Sequence, residues 1–399
     1  MVAAKQVVIG ARRVITSASA EPIEFGAVSV EEGLITAVGR RPDFPSVDVE
    51  LGDVTVIPGM IDAHVHLSSD CGPAMGRVAA EQPQGEAVLR IVANAHRFLM
   101  AGVTTVRDLG TECGLAGLVR DRDPGIPMAR IVTANQPITI TGGHGAFMGM
   151  ACDSVTDLRR AIRSHAAQGS DWIKVMASGG FVNPKRSEGA AVYRPLFSAE
   201  EMTVIVDEAH AYGMPVAAHC QNKESIEIAF RAGVDTIEHA TFAARPHASV
   251  DERLASEIAD SGRYVVPTVN NYWLTVGVPW APQDIALANL RHLYDLGVRL
   301  VAGTDMGIPT TTPELYAEGL MVFAEIGMDP KDILASATSA AAAAIQRGDT
   351  AGEIRPGVPA DMVALNGDPL TDPRAYSRVR WVMKGGQTVV QPGEGGVEA

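Results

Sequence analysis

Two histidines separated by one residue, His64 and His66, end the apolar segment 58–67 near the start of the chain. On a β-strand alternate side chains share a face, so both imidazoles point the same way. Neutral imidazole is a common ligand of zinc and related divalent ions. A hydrogen-bonded polar pair would look the same, so ligands at the ends of later segments must decide between the two interpretations.

Four more ionisable residues end later strand-like segments of the chain. Each segment is short and apolar, and each polar residue stands where the segment stops. Any one of these residues alone would be more typical of a buried structural side chain, an ion pair or a turn. Together with the first pair they predict a metal site, and we call these six positions the ligand set: His64, His66, Lys174, His219, His239 and Asp305.

The residue types and order of the ligand set resemble the amidohydrolase superfamily of metal-dependent hydrolases. The match runs over nearly the whole chain. The resemblance implies two divalent metal ions bridged by a carboxylated Lys174, because lysine is otherwise protonated and a poor ligand. Desolvation and nearby cations would favour the neutral amine that carboxylation requires. One ion would take His64, His66 and Asp305, and the other His219 and His239.

The donor types favour zinc, with manganese, cobalt or iron as alternatives. In the resembling enzymes the nucleophile is a hydroxide that bridges the metals, made available because bound metal lowers the pKa of water. The resemblance implies that Asp305 is catalytic: it would orient this water, accept its proton and pass it to the leaving amine.

The segments that carry the ligand set alternate with helical patterns, which predicts an α/β protein with a (β/α)₈ TIM barrel. Helix starts are indicated by the capping box of Ser198 and Glu201 and by Asp329 before Pro330. A doubly wound open sheet is the alternative, but no glycine-rich phosphate loop follows the first strand. The predicted barrel strands lie in segments 58–67, 103–108, 131–133, 171–176, 214–219, 234–239, 264–267 and 298–305.

The two ends of the chain contain short alternating segments typical of small sheets. We expect both ends to build one small β-sandwich domain, an arrangement that the resemblance also implies. The predicted domains are therefore the sandwich at residues 1–58 and 350–399 and the barrel at 59–349.

Composition narrows the class of partner. The 399-residue chain is 46% hydrophobic and has a formal net charge of −14, which disfavours nucleic acid and anionic membranes and favours a small-molecule substrate. A homo-oligomer is compatible with this composition. Four scattered cysteines, no signal-peptide pattern and no apolar run of about 20 residues lead us to expect reduced thiols and a cytoplasmic location.

Residues on the substrate side are predicted in three loops. The glycine-flanked segment around His144 resembles a loop of peptidase-like members in which the histidine side chain helps to hold or polarise the substrate carbonyl. A flexible turn would have the same composition. The segment 181–191 is long enough for a lid, and Tyr193 and Arg194 after it could bind a substrate carboxylate, with a solvated charge as the alternative. Tyr272, Trp273 and Trp280 suggest an apolar pocket wall or simple packing.

The chain most resembles the binuclear group of Xaa-Pro dipeptidases, arginine or lysine carboxypeptidases and ochratoxin-type amidases. The expected reaction is hydrolysis of an amide bond in a dipeptide or N-acyl amino acid. Carbamate, phenylurea or lactone hydrolysis is the alternative. Deaminases of the superfamily commonly lack the lysine and have a glutamate where this chain has Asn222, so Lys174 and Asn222 together disfavour deamination. A metal-binding barrel without catalysis is kept as a less favoured alternative.

Overall fold

The computed structural model of the chain describes residues 6–122, 124–180, 191–278 and 281–390. The strands are β1 Val7–Val14, β2 Ile23–Glu31, β3 Leu34–Arg40, β4 Val49–Glu50, β5 Thr55–Pro58, β6 Met60–Val65, β7 Val103–Asp108, β8 Arg130–Thr133, β9 Ile138–Thr139, β10 Met150–Ala151, β11 Ile173–Met176, β12 Val216–Cys220, β13 Thr236–His239, β14 Tyr264–Val266, β15 Arg299–Leu300, β16 Met362–Leu365, β17 Val379–Lys384 and β18 Gln387–Val390. The α-helices are α1 Met75–Glu81, α2 Gln84–Met100, α3 Leu115–Asp121, α4 Val155–Ala167, α5 Ala199–Ala211, α6 Lys223–Ala232, α7 Glu252–Ser261, α8 Gln283–Asp295, α9 Tyr316–Glu325, α10 Pro330–Ala337 and α11 Ser339–Ala344.

Helix starts follow the predicted capping signals. The Ser198 hydroxyl accepts a hydrogen bond from the Glu201 backbone N–H, and the Glu201 carboxylate accepts one from the Ser198 N–H, so the box precedes α5 as predicted. Asp329 accepts from the Lys331 N–H at 2.8 Å and leads into Pro330, the first residue of α10. These caps satisfy N–H groups that a helix cannot bond internally.

Each of the eight predicted barrel segments contains a parallel strand. The strands form two sheets, one in the order β6-β7-β8 and the other in the order β10-β9-β11-β12-β13-β14-β15. Individual backbone hydrogen bonds link the sheets at both edges: Asp305 N–H to His64 C=O at 2.9 Å, and Asp171 N–H to Thr133 C=O at 2.9 Å. Among the described residues, the two sheets do not form the continuous closed ladder expected for a complete barrel.

Apolar side chains cover both faces of these strands. All residues of β11 and β12 are buried, which is typical of parallel strands between a helical layer and a packed interior. One buried cluster draws residues from both parallel sheets: Ile61, Ala63, Val132, Trp172, Ala217, Val266 and Val301. The inner faces of the two sheets therefore enclose a common interior, beside which the ligand set lies.

Strands from both ends of the chain form one further sheet. Its order is β18-β17-β16-β5-β1-β2-β3, with β4 paired to β1, and β5 runs antiparallel to β16. Its apolar face buries Ile9, Val14, Met362 and Trp381. The two termini thus share a sheet, but its described strands do not show the two layers of the expected β-sandwich.

Within the described ranges, no helix combines the length and the apolar character needed to cross a membrane. All four cysteines are free thiols, and Cys113 alone among them is exposed. The cysteines therefore form no cross-link between the elements.

Candidate metal centre and active site

The structure brings three members of the ligand set together at the edge where β6 meets the segment after β15. Single ligand atoms of His64, His66 and Asp305 all lie within 4.8 Å of one another. The His66 Nε2 atom is 3.2 Å from Asp305 Oδ1, and the His64 Nε2 atom is 3.6 Å from the same oxygen. This spacing suits three ligands that converge on one ion.

The other three members complete the cluster. The Nζ atom of Lys174 on β11 lies 3.4 Å from His64 Nε2. The ring centroids of His219 and His239 are 4.3 Å apart, and those of His239 and His64 are 5.2 Å apart. Side chains from distant parts of the sequence thus meet in one place, as the strand-end pattern predicted.

Burial sets the protonation of three basic members of the ligand set, Lys174, His219 and His239. It lowers the pKa of Lys174 to about 8, against the attraction of Glu238 and Asp305, so a fraction of the amine is neutral near neutral pH. Burial also lowers the pKa of His239 to about 3 and that of His219 well below its ordinary value. These imidazoles are neutral and can donate lone pairs to a metal ion.

The pKa of Asp305 is shifted in favour of the charged form of its side chain. Burial would raise the pKa of its carboxyl, but the hydrogen bond with His66 and the nearby His64 and His239 outweigh this effect and lower it below the ordinary value. Asp305 is therefore ionised. The backbone φ of Asp305 is 57° and that of His239 is 68°, both in the left-handed region that non-glycine residues seldom adopt, as is common at functional sites.

The donor set fits divalent metal ions. Four buried imidazoles and the carboxylate of Asp305, which is 16% exposed, supply the nitrogen and oxygen ligands that zinc, manganese, cobalt or iron accept. His66 is further fixed by the Gly110 carbonyl, 3.1 Å from its Nδ1 atom, which directs Nε2 toward Asp305. A Cβ atom on Gly110 would lie 2.8 Å from that Nδ1 atom, so the close approach requires glycine.

Two buried charged residues behind the ligand set were not assigned from the sequence. The Glu238 carboxylate accepts a hydrogen bond from His64 Nδ1 at 2.7 Å and one from the Arg107 guanidinium at 2.9 Å. Both residues are fully buried. The available signal was a charged residue inside an otherwise apolar strand, because such residues are almost never fully buried unless paired.

Asp62 is a third such residue. Burial raises its pKa to about 7, although hydrogen bonds from Thr304 and the His64 N–H favour the ionised form. Its carboxylate accepts from the Thr304 hydroxyl at 2.6 Å and from the His64 N–H at 3.0 Å. Asp62 therefore ties β6 to the residue before Asp305.

A cavity of about 460 Å³ opens onto the ligand set. Its wall is mainly apolar and includes Phe147, Met148, Met176, Tyr272, Trp273 and Ile308. The aromatic pair Tyr272 and Trp273 thus faces the site, whereas Trp280 lies outside the described residues. The size is within the range of small-molecule sites.

His144 lines the same cavity, and its ring centroid is 4.5 Å from that of His219. The ring occupies space that is open because residue 180 is glycine: a Cβ atom there would lie 2.4 Å from His144 Cε1. His144 is therefore placed where it could contact a substrate bound at the ligand set.

Gly180→Ala is expected to displace the His144 ring and lower kcat/KM by about 10- to 100-fold, because small misplacements of a catalytic group are costly. Steady-state kinetics would measure the loss. Gly85→Ala on α2 is the matched control, since a Cβ atom at Gly85 meets nothing within 4 Å. Unchanged kinetics in Gly180→Ala would exclude a role for His144 in its present position.

Tyr193 and Arg194 do not line this cavity. Tyr193 is half-buried with the Arg245 guanidinium 4.8 Å from its ring centroid, and Arg194 is exposed. The expected lid falls largely on residues 181–190, which lie outside the described residues. A substrate role for Tyr193 and Arg194 therefore stays a prediction.

Comparisons with known proteins identify the family of this chain. The chain matches the amidohydrolase family over residues 55–389. It is 27% identical to ochratoxinase from Aspergillus niger, over 94% of this chain and 85% of that protein.

Solved structures show the same fold along nearly the whole chain. The crystal structure of A. niger ochratoxinase superposes with a TM-score of 0.82 at 26% identity, covering 98% of this chain and 97% of that one. A prolidase complexed with N-methylphosphonate-L-proline also gives a TM-score of 0.82, at 28% identity, covering 97% of this chain and all of that one. The α/β architecture is therefore of the TIM-barrel type. The chain belongs to the amidohydrolase family and is a hydrolytic enzyme.

Proposed function

We propose that this enzyme hydrolyses an amide bond in a dipeptide or N-acyl amino acid, at two divalent metal ions held by the ligand set. The observation that carries the proposal is the apolar cavity that opens onto the six side chains of the ligand set, of which all but Asp305 are buried. The similar ochratoxinase and prolidase support amide hydrolysis as the reaction class.

Each ion would be held by its own part of the ligand set. His64, His66 and Asp305 would hold one ion, His219 and His239 the other, and carboxylated Lys174 would stand between them. We favour zinc because imidazole and carboxylate-type oxygen are its usual ligands. When bound, the ions would lower the pKa of a water molecule from about 15.7 to about 7 and polarise the substrate carbonyl.

The protein's own side chains would move the proton and hold the substrate. Asp305 is ionised and can accept a proton from the attacking water, then pass it to the leaving amine. His144 faces the cavity and can donate to the carbonyl oxygen as negative charge develops on it. The apolar side chains of the cavity wall lower the local dielectric, which strengthens both interactions.

The cavity wall favours a substrate with an apolar or aromatic group. Among the described residues that line it, no arginine is present and no carboxylate other than Asp305. Gln221 also lines it, and its Oε1 atom accepts from the Thr241 hydroxyl at 2.7 Å. The Gln221 amide nitrogen, which has no acceptor among the described residues, can then donate to a substrate oxygen.

Asn222 supports hydrolysis over deamination. Its side chain accepts from the Ser225 N–H at 2.9 Å as the cap of α6 and donates to the Val192 carbonyl at 2.7 Å. The residue is therefore used to start a helix. An amide at this position also cannot exchange a proton as a glutamate would.

The remaining proposals concern architecture and surroundings. We infer that the parallel sheets belong to one closed (β/α)₈ barrel over 59–349 and that 1–58 and 350–399 fold as a β-sandwich. The hydrogen bonds that link the two parallel sheets and the sheet shared by the termini support this division. The net charge of −14 supports a small-molecule partner over nucleic acid or a membrane surface. Cytoplasmic residence and homo-oligomer formation stay predictions.

A substrate library tests the proposed reaction. Zinc- or manganese-loaded enzyme is incubated with dipeptides, N-acyl amino acids, carbamates, phenylureas, lactones, phosphotriesters and aminated heterocycles, and product release is measured. We expect the highest kcat/KM for amides with an apolar or aromatic side chain. Turnover confined to lactones, phosphotriesters or aminated heterocycles would contradict amide hydrolysis while leaving the metal centre in place.

A further inference from the structure

A chain of buried hydrogen bonds lies behind His64. His64 Nδ1 contacts Glu238 on β13 at 2.7 Å, and the other Glu238 oxygen accepts from Arg107 on β7 at 2.9 Å. The Thr236 hydroxyl donates to that same oxygen at 2.5 Å and accepts from Arg107 at 3.1 Å. All four side chains are buried. Polar contacts among buried side chains thus join the three strands β6, β7 and β13.

Arg107 also holds the backbone next to His64. Its Nε atom donates to the carbonyl of Ala63 at 2.7 Å, and its guanidinium lies 4.4 Å from the ring centroid of Trp172. The planar guanidinium can serve a carboxylate, a carbonyl and an aromatic face at the same time. The ring of His64 and the peptide before it are therefore fixed by the same pair of charges.

Stability alone does not explain this arrangement. Removing two charges from water is costly, and well-packed apolar residues in place of a buried ion pair are often as stable or more stable. Burial lowers the pKa of Arg107, in keeping with that cost. The pair lies directly behind a predicted metal ligand, so a role in holding that ligand is the more economical explanation.

We propose that Glu238 and Arg107 are positioning residues that raise the affinity of the His64 site for a divalent ion. The inference rests on the proposed metal centre. By accepting from Nδ1–H, Glu238 selects the tautomer in which the Nε2 lone pair faces Lys174 and Asp305. Arg107 holds Glu238 in this orientation through its 2.9 Å hydrogen bond.

Glu238→Gln tests this role. One amide oxygen replaces two carboxylate oxygens, so the side chain can no longer accept from both His64 and Arg107. We expect affinity for one of the two zinc ions to fall by about 10- to 100-fold, measured by zinc titration against a chromophoric chelator. Glu208→Gln is the matched control, because Glu208 is also buried and paired, with Arg159 and Arg163, away from the ligand set.

A second variant keeps the test decisive if Glu238→Gln does not fold. Thr236→Val removes the hydroxyl that orients Glu238 without changing charge, and we expect about a three- to tenfold loss of zinc affinity. Wild-type zinc affinity in the folded variant, or an equal loss in Glu208→Gln, would reduce the pair to a structural role and overturn the inference. Failure of the wild-type chain to bind zinc would instead overturn the metal centre itself.

Discussion

Lys174→Ala is expected to lower kcat by about three orders of magnitude, because it removes the group proposed to stand between the two ions. The side chain is buried among the other ligands, and alanine can supply neither an amine nor a carboxylated oxygen. The barrel core does not depend on this amine, so the fold should persist. Steady-state kinetics and circular dichroism measure the two effects.

Chemical rescue distinguishes a lost bridge from a damaged site. Short carboxylic acids such as formate or acetate should partly restore Lys174→Ala, since their oxygens can occupy the vacated space. Lys331→Ala is the control, because Lys331 is exposed and pairs with Glu21. Activity in Lys174→Ala equal to that of the wild type would rule out a bridging role.

Asp305→Asn is expected to lower kcat by about 10²- to 10⁴-fold, the usual contribution of a general acid or base. The amide keeps the shape of the carboxylate but cannot accept and return a proton, and it is a weaker metal ligand. The measurement is kcat with the preferred amide, together with the metal content of the variant.

Asp295→Asn serves as the matched change on the surface, where Asp295 pairs with Arg291 on α8. It should leave kcat unaltered, because a surface ion pair contributes little to stability. If Asp305→Asn kept more than about a tenth of wild-type activity, another residue would have to carry the proton.

The clustering of the six residues of the ligand set was predictable because each of them interrupts an apolar segment at a strand end. Parallel strands place such ends at one edge, so order along the chain translates into proximity in space. The distances of 3.2 to 3.6 Å among His64, His66, Lys174 and Asp305 agree with that reasoning. The positive φ values at His239 and Asp305 were not predictable, because neither residue type requires them.

The contact between Glu238 and Arg107 could not be predicted from sequence periodicity. The two residues lie on different strands, 131 residues apart in the sequence. Alternation of apolar and polar residues predicts which face of a strand a side chain occupies but does not identify the residue opposite it. A charged residue within an apolar strand signals a buried partner but does not identify it. Pairing across the interior had to come from the structure.

Loop paths and the second layer of the terminal domain were also not fixed by sequence. Tyr193 and Arg194 follow residues 181–190, and the structure places them away from the cavity, with Tyr193 beside Arg245. A polar residue in a loop has no periodic neighbours to set its direction. Alternating segments predicted strands at both termini, yet alternation alone does not say whether they form one layer or two.

The number of divalent ions bound per chain tests the metal centre most directly. Purified enzyme is dialysed, its metals are measured by mass spectrometry, and amide turnover is followed with and without a strong chelator. We predict about two ions per chain, loss of turnover with the chelator and recovery when zinc or manganese is returned. A chain that holds no divalent ion and hydrolyses amides equally well in the presence of chelator would contradict the proposed centre.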